Sequence, residues 1–86
     1  MDINELISTV KKKIRGSISL EKIVVEDKTF LHKNHESHKI GKFHLKLIIT
    51  SLELKKMKKI DSTKKIYNIL DLELKDHIHS IQILLN

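Results

Sequence analysis

Apolar residues in the first fifteen positions recur at intervals of three and four, which is typical of an amphipathic helix. These positions are Ile3, Leu6, Ile7, Val10 and Ile14. Basic residues at the end of the segment, followed by Gly16, are a helix stop signal. The sequence therefore predicts a first helix from about residue 3 to residue 15.

Three later segments have the character of β-strands. Residues 21–27 are short and rich in β-branched side chains. From residue 42 apolar and polar residues alternate, which is typical of a strand with one buried face. The apolar face of that strand carries Phe43, Leu45, Leu47 and Ile49. Residues 77–85 alternate in the same way and predict the last strand.

A second amphipathic helix is predicted between the last two strands. Asp61, Ser62 and Thr63 are N-cap candidates. The helix is expected to run from there to about Asp76, with apolar positions at Ile66, Ile69, Leu70 and Leu74. Residues 52–60 are Lys-rich and weakly patterned, and the pattern predicts only a connection there.

The element order α-β-β-α-β predicts a single α+β domain over residues 1–86. Its fold class is a two-layer sandwich, a three-stranded mixed sheet with helices on one face. The first two strands are expected to pair antiparallel, and the third to pair parallel with the second through the helical crossover. The open face of the sheet is expected to be polar, with His44, Lys46, Ser80 and Gln82.

Composition limits the environment of the chain. Its 86 residues include no cysteine, so it has neither disulfides nor thiolate ligands of its own. No apolar run approaches the roughly 20 residues of a membrane span. The N-terminus carries acids where a targeting peptide carries bases. We expect a cytoplasmic protein that is monomeric in isolation and does not enter a membrane.

The net charge of +6 invites a nucleic-acid or acidic-partner interpretation. Six lysines cluster before and within the second helix: Lys55, Lys56, Lys58, Lys59, Lys64 and Lys65. They are either a phosphate-binding surface or a solvated face. The chain has only three aromatic residues for base stacking and no G-x-x-G loop to clamp a nucleic-acid backbone.

Three of the six histidines fall within residues 32–38, and this cluster is the main candidate for chemistry. His32, His35 and His38 are either solvated loop side chains or metal ligands. A zinc site formed by these three and His44 is the less favoured alternative, because structural zinc usually has at least two cysteine ligands.

Four motifs in order resemble the BolA family. DKTFLHKNH at 27–35 resembles its D-x-[ST]-x-x-H-x-G-H stretch, and GKFHLKL at 41–47 resembles its G-E-[ST]-H-[FY]-x-V strand. IYNIL at 66–70 with ELK at 73–75 resembles its second helix. HIHSI at 77–81 resembles the x-[IV]-H-A-[LI] opening of its last strand. The resemblance spans nearly the whole chain.

The resemblance implies an adaptor that pairs with a monothiol glutaredoxin and shares a bridged [2Fe–2S] cluster. The glutaredoxin would supply its cysteine and a glutathione thiol. By motif position the ligands from this chain would be His79 and His32, with His35 as the alternative loop ligand. Imidazole can replace thiolate on one iron of such a cluster. Because the family's fold resembles class II KH domains, the alternative is a nucleic-acid-binding transcriptional regulator.

The remaining expectations concern single side chains. His79 shares the strand parity of Ile81 and Ile83, so it is expected to point toward the helix layer at the sheet's margin. His44 is expected on the polar sheet face as a surface or interface residue, either structural or beside a ligand rather than ligating itself. His77 is expected at the C-terminal end of the second helix, where a cation suits the dipole. No nucleophile elbow, P-loop or dinucleotide fingerprint is present, so no enzymatic activity is expected.

Overall fold

A computed structural model describes residues 1–29 and 42–86. In chain order its elements are α1 (Ile3–Ser17), β1 (Lys22–Asp27), β2 (Phe43–Thr50), α2 (Leu52–Lys55), α3 (Lys59–Ile69), α4 (Asp71–Asp76) and β3 (Ile78–Leu85). The predicted α+β class and mixed sheet are confirmed. The segment without a prediction contains α2, and the predicted second helix is two helices.

The three strands form one sheet in the order β1-β2-β3. β1 pairs antiparallel with β2, and β2 pairs parallel with β3, as the crossover requires. The core lies between this sheet and the helices. Its strand contribution is Ile23, Val25, Leu45, Leu47, Ile49 and Ile78, and its helical contribution includes Leu6, Val10, Ile14, Leu54, Ile66 and Leu70.

Helix α1 begins where the sequence predicts but continues past the predicted stop. The Asp2 side chain accepts a hydrogen bond from the Glu5 amide at 2.8 Å, which satisfies an orphan donor and lowers the pKa of Asp2. Gly16 lies inside the helix, outside the left-handed backbone region. The helix ends only at Ser17, because the Ile18 amide still bonds to the Ile14 carbonyl and Ile18 is buried in the core.

The predicted N-cap of the second helix is wrong. Lys58 is the N-cap of α3 and makes no side-chain capping bond. Ser62 is buried inside the helix, where its hydroxyl donates to the Lys59 carbonyl at 2.9 Å. The helix also breaks at Leu70, which separates α3 from α4. Leu70, the junction residue, is fully buried in the core.

One extra residue in β3 changes the face on which the strand's first residues lie. Phe43 is the partner of Ile78, but the next residue, His44, is the partner of Ser80. His79 is therefore the extra residue of a β-bulge, a device that redirects a side chain within a sheet. Ile78 is buried in the core while His79 is exposed. The expectation that His79 points toward the helices is wrong, because the bulge shifts the alternation by one residue.

Residues 1–29 and 42–86 contain four helices, and none of the four has the length and apolar content needed to cross a lipid bilayer.

Candidate metal site

His44 and His79 meet where β2 and β3 begin their parallel pairing. His44 is the second residue of β2, and His79 occupies the bulge in β3. The two ring centroids lie 4.8 Å apart with an interplanar angle of 65°, an edge-to-face arrangement. The His79 Nδ1 atom lies 3.3 Å from the His44 Nε2 atom. Two histidines that are 35 positions apart in sequence thus form one pair.

Ser80 extends this pair on the side of His44. The Ser80 Oγ atom lies 2.6 Å from the His44 Nδ1 atom, close enough for a hydrogen bond between them. Both ring nitrogens of His44 are therefore engaged, one by Ser80 and one by His79. His79 uses Nδ1 in the contact, and its Nε2 atom makes no hydrogen bond to the described part of the chain.

The backbone of His44 is fixed by the residues that follow β1. The Lys28 amide donates to the His44 carbonyl at 2.7 Å, and the His44 amide donates to the Thr29 hydroxyl oxygen at 3.1 Å. Thr29 in turn donates its hydroxyl hydrogen to the Asp27 carboxylate. Both the backbone and the ring of His44 therefore have defined positions.

His44 lies on the sheet face that the sequence predicts, but it is not a surface residue. Its side of β2 is opposite that of Leu45 and Leu47, yet only 6% of His44 is exposed. The surface position expected for His44 is therefore wrong, and the His79 ring, which the bulge brings alongside, packs edge-to-face against it. The ring of His79, in contrast, is exposed.

A cavity of about 350 Å³ opens beside the pair on the outer side of the sheet. Its lining residues are Lys28, His44, Leu45, Lys46, Ser80, Ile81 and Gln82. The buried histidine thus borders a recess of mixed polar and apolar lining that includes two lysines.

Not all the predicted site residues can be placed. His32, His35 and His38 lie outside the described residues. His77 is the C-cap of α4, and its amide donates to the Glu73 carbonyl at 2.8 Å, as its predicted position at that helix end requires. Within residues 1–29 and 42–86, no three His, Asp or Glu side chains lie close enough to hold a metal ion. A metal centre here would need donors in addition to the His44–His79 pair.

The six lysines of the alternative interpretation lie around α2 and α3. Five are exposed, and only Lys65 is half-buried. Lys65 donates to the Glu53 carboxylate at 2.7 Å, and the Ser19 amide donates to the same carboxylate. The Lys65 ammonium and the Ser19 amide lower the pKa of Glu53. Lys65 is thus committed to an ion pair that joins α3 to α2.

An apolar groove of about 300 Å³ lies between these lysines and the end of β3. Its lining residues are Leu54, Lys55, Met57, Lys59, Thr63, Ile83, Leu84 and Leu85. Only two of the six clustered lysines border it. The groove lies at the opposite end of β3 from the histidine pair.

Sequence reasoning missed the contact between the histidines and the role of Ser80. The family-like motif marks His79 and the alternation marks His44, but neither pattern reveals a bulge. The only sequence signal for Ser80 is its place directly after a histidine at the start of a strand, and this signal is weak.

Comparisons with known proteins agree with the fold. Residues 14–86 match the family described as BolA-like protein. The BolA domain of SufE1 from Arabidopsis thaliana is 21% identical with a TM-score of 0.82, and the alignment covers 99% of this chain and 94% of that one. BolA1 from the same plant is 22% identical with a TM-score of 0.76, covering 93% of this chain and 88% of that one. BolA1 from Mus musculus is 15% identical with a TM-score of 0.73, covering 92% and 62%. No curated protein matches the chain significantly.

Proposed function

The chain belongs to the BolA family, and on that premise we propose that it is an adaptor that shares a [2Fe–2S] cluster with a monothiol glutaredoxin. The proposal assigns it a role in iron–sulfur assembly, trafficking or iron regulation, as a binding module without turnover. The observation that carries the proposal is the exposed His79 ring, whose Nδ1 atom contacts the Nε2 atom of the buried His44.

The donor chemistry of this end of the sheet fits the cluster. Imidazole nitrogen is an accepted ligand of one iron in [2Fe–2S] centres whose other iron has thiolates. His79 has a ring nitrogen, Nε2, without a hydrogen bond to the described residues, and the ring stands at the surface where a second protein can reach it. The chain has no cysteine, so the thiolates would come from the glutaredoxin and from glutathione.

The second ligand from this chain would be His32, with His35 as the alternative. Both follow Thr29, whose hydroxyl is bonded to the backbone of His44. Thr29, the last described residue before the loop histidines, therefore lies next to the histidine pair. When bound, the cluster would supply electron transfer or be passed on as cargo. The residues of this chain would bind it and orient the partner.

The net charge of this chain favours an acidic partner surface. It carries 17 basic and 11 acidic residues. Opposite charges across an interface accelerate association and select partners more than they tighten binding. We expect the association rate with the glutaredoxin to fall as salt is added.

The experiment is anaerobic reconstitution with a monothiol glutaredoxin, glutathione, iron and sulfide. Visible absorption and circular dichroism are compared with those of the glutaredoxin alone. Wild type is expected to give a one-to-one heterodimer with a changed spectrum. His79→Ala is expected to abolish the change, and His32→Ala or His35→Ala identifies the loop ligand.

The matched control is His77→Ala, which removes a histidine two positions from His79 that contributes only its backbone to the α4 cap. It should leave the heterodimer spectrum intact. A spectrum identical to that of the glutaredoxin alone, with no heterodimer on size exclusion, would contradict the proposal.

Nucleic-acid binding is the second candidate, and the apolar groove bordered by Lys55 and Lys59 is the observation that favours it. Its test is fluorescence anisotropy with a short single-stranded oligonucleotide at several salt concentrations. Real phosphate contacts predict an affinity that falls steeply with salt and that Lys55→Gln with Lys59→Gln lowers further. The control Lys12→Gln with Lys22→Gln removes the same charge from exposed positions elsewhere. Equal losses in the two double variants would leave only nonspecific attraction.

A further inference from the structure

We infer that His44 and Ser80 are positioning residues for His79, which hold it through Nδ1, leave Nε2 as its ligating nitrogen and couple the tautomers of the two rings. The coupling follows from the contacts alone. The ligating role rests on the proposed function.

The coupling arises because one proton serves two nitrogens. A neutral imidazole has one N–H donor and one bare acceptor nitrogen. The contact between His79 Nδ1 and His44 Nε2, 3.3 Å apart, therefore needs its proton on one of the two atoms. If His79 carries it on Nδ1, His44 Nε2 is bare and the proton of His44 lies on Nδ1. If His44 carries it on Nε2, His79 Nδ1 is bare and its own proton lies on Nε2.

Both rings therefore carry their proton on the same atom: on Nδ1 in the first state and on Nε2 in the second. In the first state His79 donates to His44, and His44 donates to the Ser80 oxygen 2.6 Å away. In the second state the Ser80 hydroxyl donates to His44, and His44 donates to His79. Ser80 accommodates both because a hydroxyl both donates and accepts.

Only the first state leaves the Nε2 lone pair of His79 open toward the outside. Metal-bound histidines typically donate their other N–H to a neighbouring group, which fixes the ring and makes it a better ligand. His44 supplies that acceptor here, and it is itself held by Ser80 and by its burial at 6% exposure. Ligation at Nε2 would select the first state in both rings at once.

The coupling is tested on the free protein by long-range ¹H–¹⁵N spectra of the imidazoles, recorded in mildly alkaline buffer with a chelator. We expect His44 and His79 to show the same fraction of the Nδ1–H form. Ser80→Ala is expected to change both fractions together, although within the described residues the Ser80 hydroxyl bonds to His44 and not to His79. Gln82→Ala, two residues along the same strand, should change neither. Different fractions in the two rings, or a response of His44 alone, would overturn the coupling.

The ligating role is tested in the reconstituted heterodimer with a matched pair of variants. His44→Leu removes the acceptor and is expected to lower cluster retention about tenfold or more, the usual effect of losing an outer-shell partner. His44→Gln keeps a polar acceptor near the position of Nε2 and should restore much of it. Retention equal to wild type in His44→Leu would overturn the positioning role.

Failure of the proposed function and failure of the positioning role give different results. If wild type forms no shared cluster, the proposed function fails while the coupled tautomers are unaffected. If wild type forms the cluster and the His44 variants behave alike, the function stands and the positioning role fails. Thermal unfolding of each variant separates either result from loss of the fold.

Discussion

The two ends of β3 are built in opposite ways. At its start, a bulge, a buried histidine and a serine hydroxyl fix one exposed ring by short contacts on both strands. At its end, Ile83, Leu84 and Leu85 border an open apolar groove whose neighbouring lysines are largely solvated. The histidine end has the preorganisation that a ligand site requires, whereas the groove end offers charge without fixed geometry.

The comparison predicts a large difference in packing energy between one apolar side chain at the histidine end and one at the groove end. Leu45, next to His44, is 2% exposed, so Leu45→Ala should lower the free energy of unfolding by about 2–5 kcal/mol. Leu84 at the groove end is 45% exposed, and Leu84→Ala should change the free energy of unfolding by less than about 0.5 kcal/mol. Urea denaturation measures both. Equal losses would mean that Leu84 contributes as much packing energy as Leu45 despite its exposure.

A second prediction concerns the ion pairs that hold the helices next to each end. Lys13 on α1 contacts Glu73 on α4 at 2.8 Å, and the Glu73 side chain is only 8% exposed. Lys13→Met leaves this carboxylate buried without its cation and should cost about 1–3 kcal/mol. Because α4 leads directly into β3, the ring resonances of His79 should shift in the same variant.

The counterpart at the groove end is the ion pair between Lys65 and Glu53, whose charged atoms lie 2.7 Å apart. The Glu53 side chain is more exposed than that of Glu73. Lys65→Met should cost less than Lys13→Met and should leave the His79 resonances unchanged. A larger loss from Lys65→Met would reverse the order that burial predicts. Chemical denaturation and ring spectra on the same samples decide between the two results.

The smallest expected effect is the pH dependence of the groove-end pair. The pKa of Glu53 is lowered by Lys65 and by the Ser19 amide, so the folded state favours the ionised form. Its contribution to stability is fully present above the ordinary carboxyl pKa of 4.5 and is lost as the pH falls through the lowered value. The Tm difference between wild type and Glu53→Gln should therefore be largest near neutral pH and shrink in acid.

The double variant supplies the control for this pH effect. In a Lys65→Met background the largest cause of the lowered pKa is absent. Glu53→Gln should then change the Tm by less, and the change should vary less with pH. A pH profile unaffected by Lys65→Met would place the cause elsewhere.

The sequence predicts the strands of this fold better than its irregularities. The alternation at Leu45, Leu47 and Ile49 is clear because one face of β2 is buried and the other is polar. The break at Leu70 is hidden, because a buried leucine there also fits an uninterrupted helix. Periodicity records burial, and it does not record where the backbone changes direction.

The candidate site shows the same limit more sharply. The motif identifies His79, but strand alternation gives it the wrong orientation, because the bulge moves the residues at the start of β3 to the opposite face. The alternation places His44 on the correct face, but it does not reveal the contact with a ring 35 positions later in the chain. Contacts between distant residues are a property of the folded chain and leave no local pattern.

The parallel pairing of β2 with β3 also sets when the histidine pair can form. The β1–β2 pairing is antiparallel and does not involve the crossover, whereas β3 reaches β2 only after α2, α3 and α4 have been traversed. Contacts between residues so far apart in sequence carry a high entropic cost and tend to form late in folding. We therefore expect the pair to be among the last features to appear during refolding. A nascent or partly folded chain would then lack the assembled pair, and any ligand that needs both rings would bind only molecules that have completed the fold.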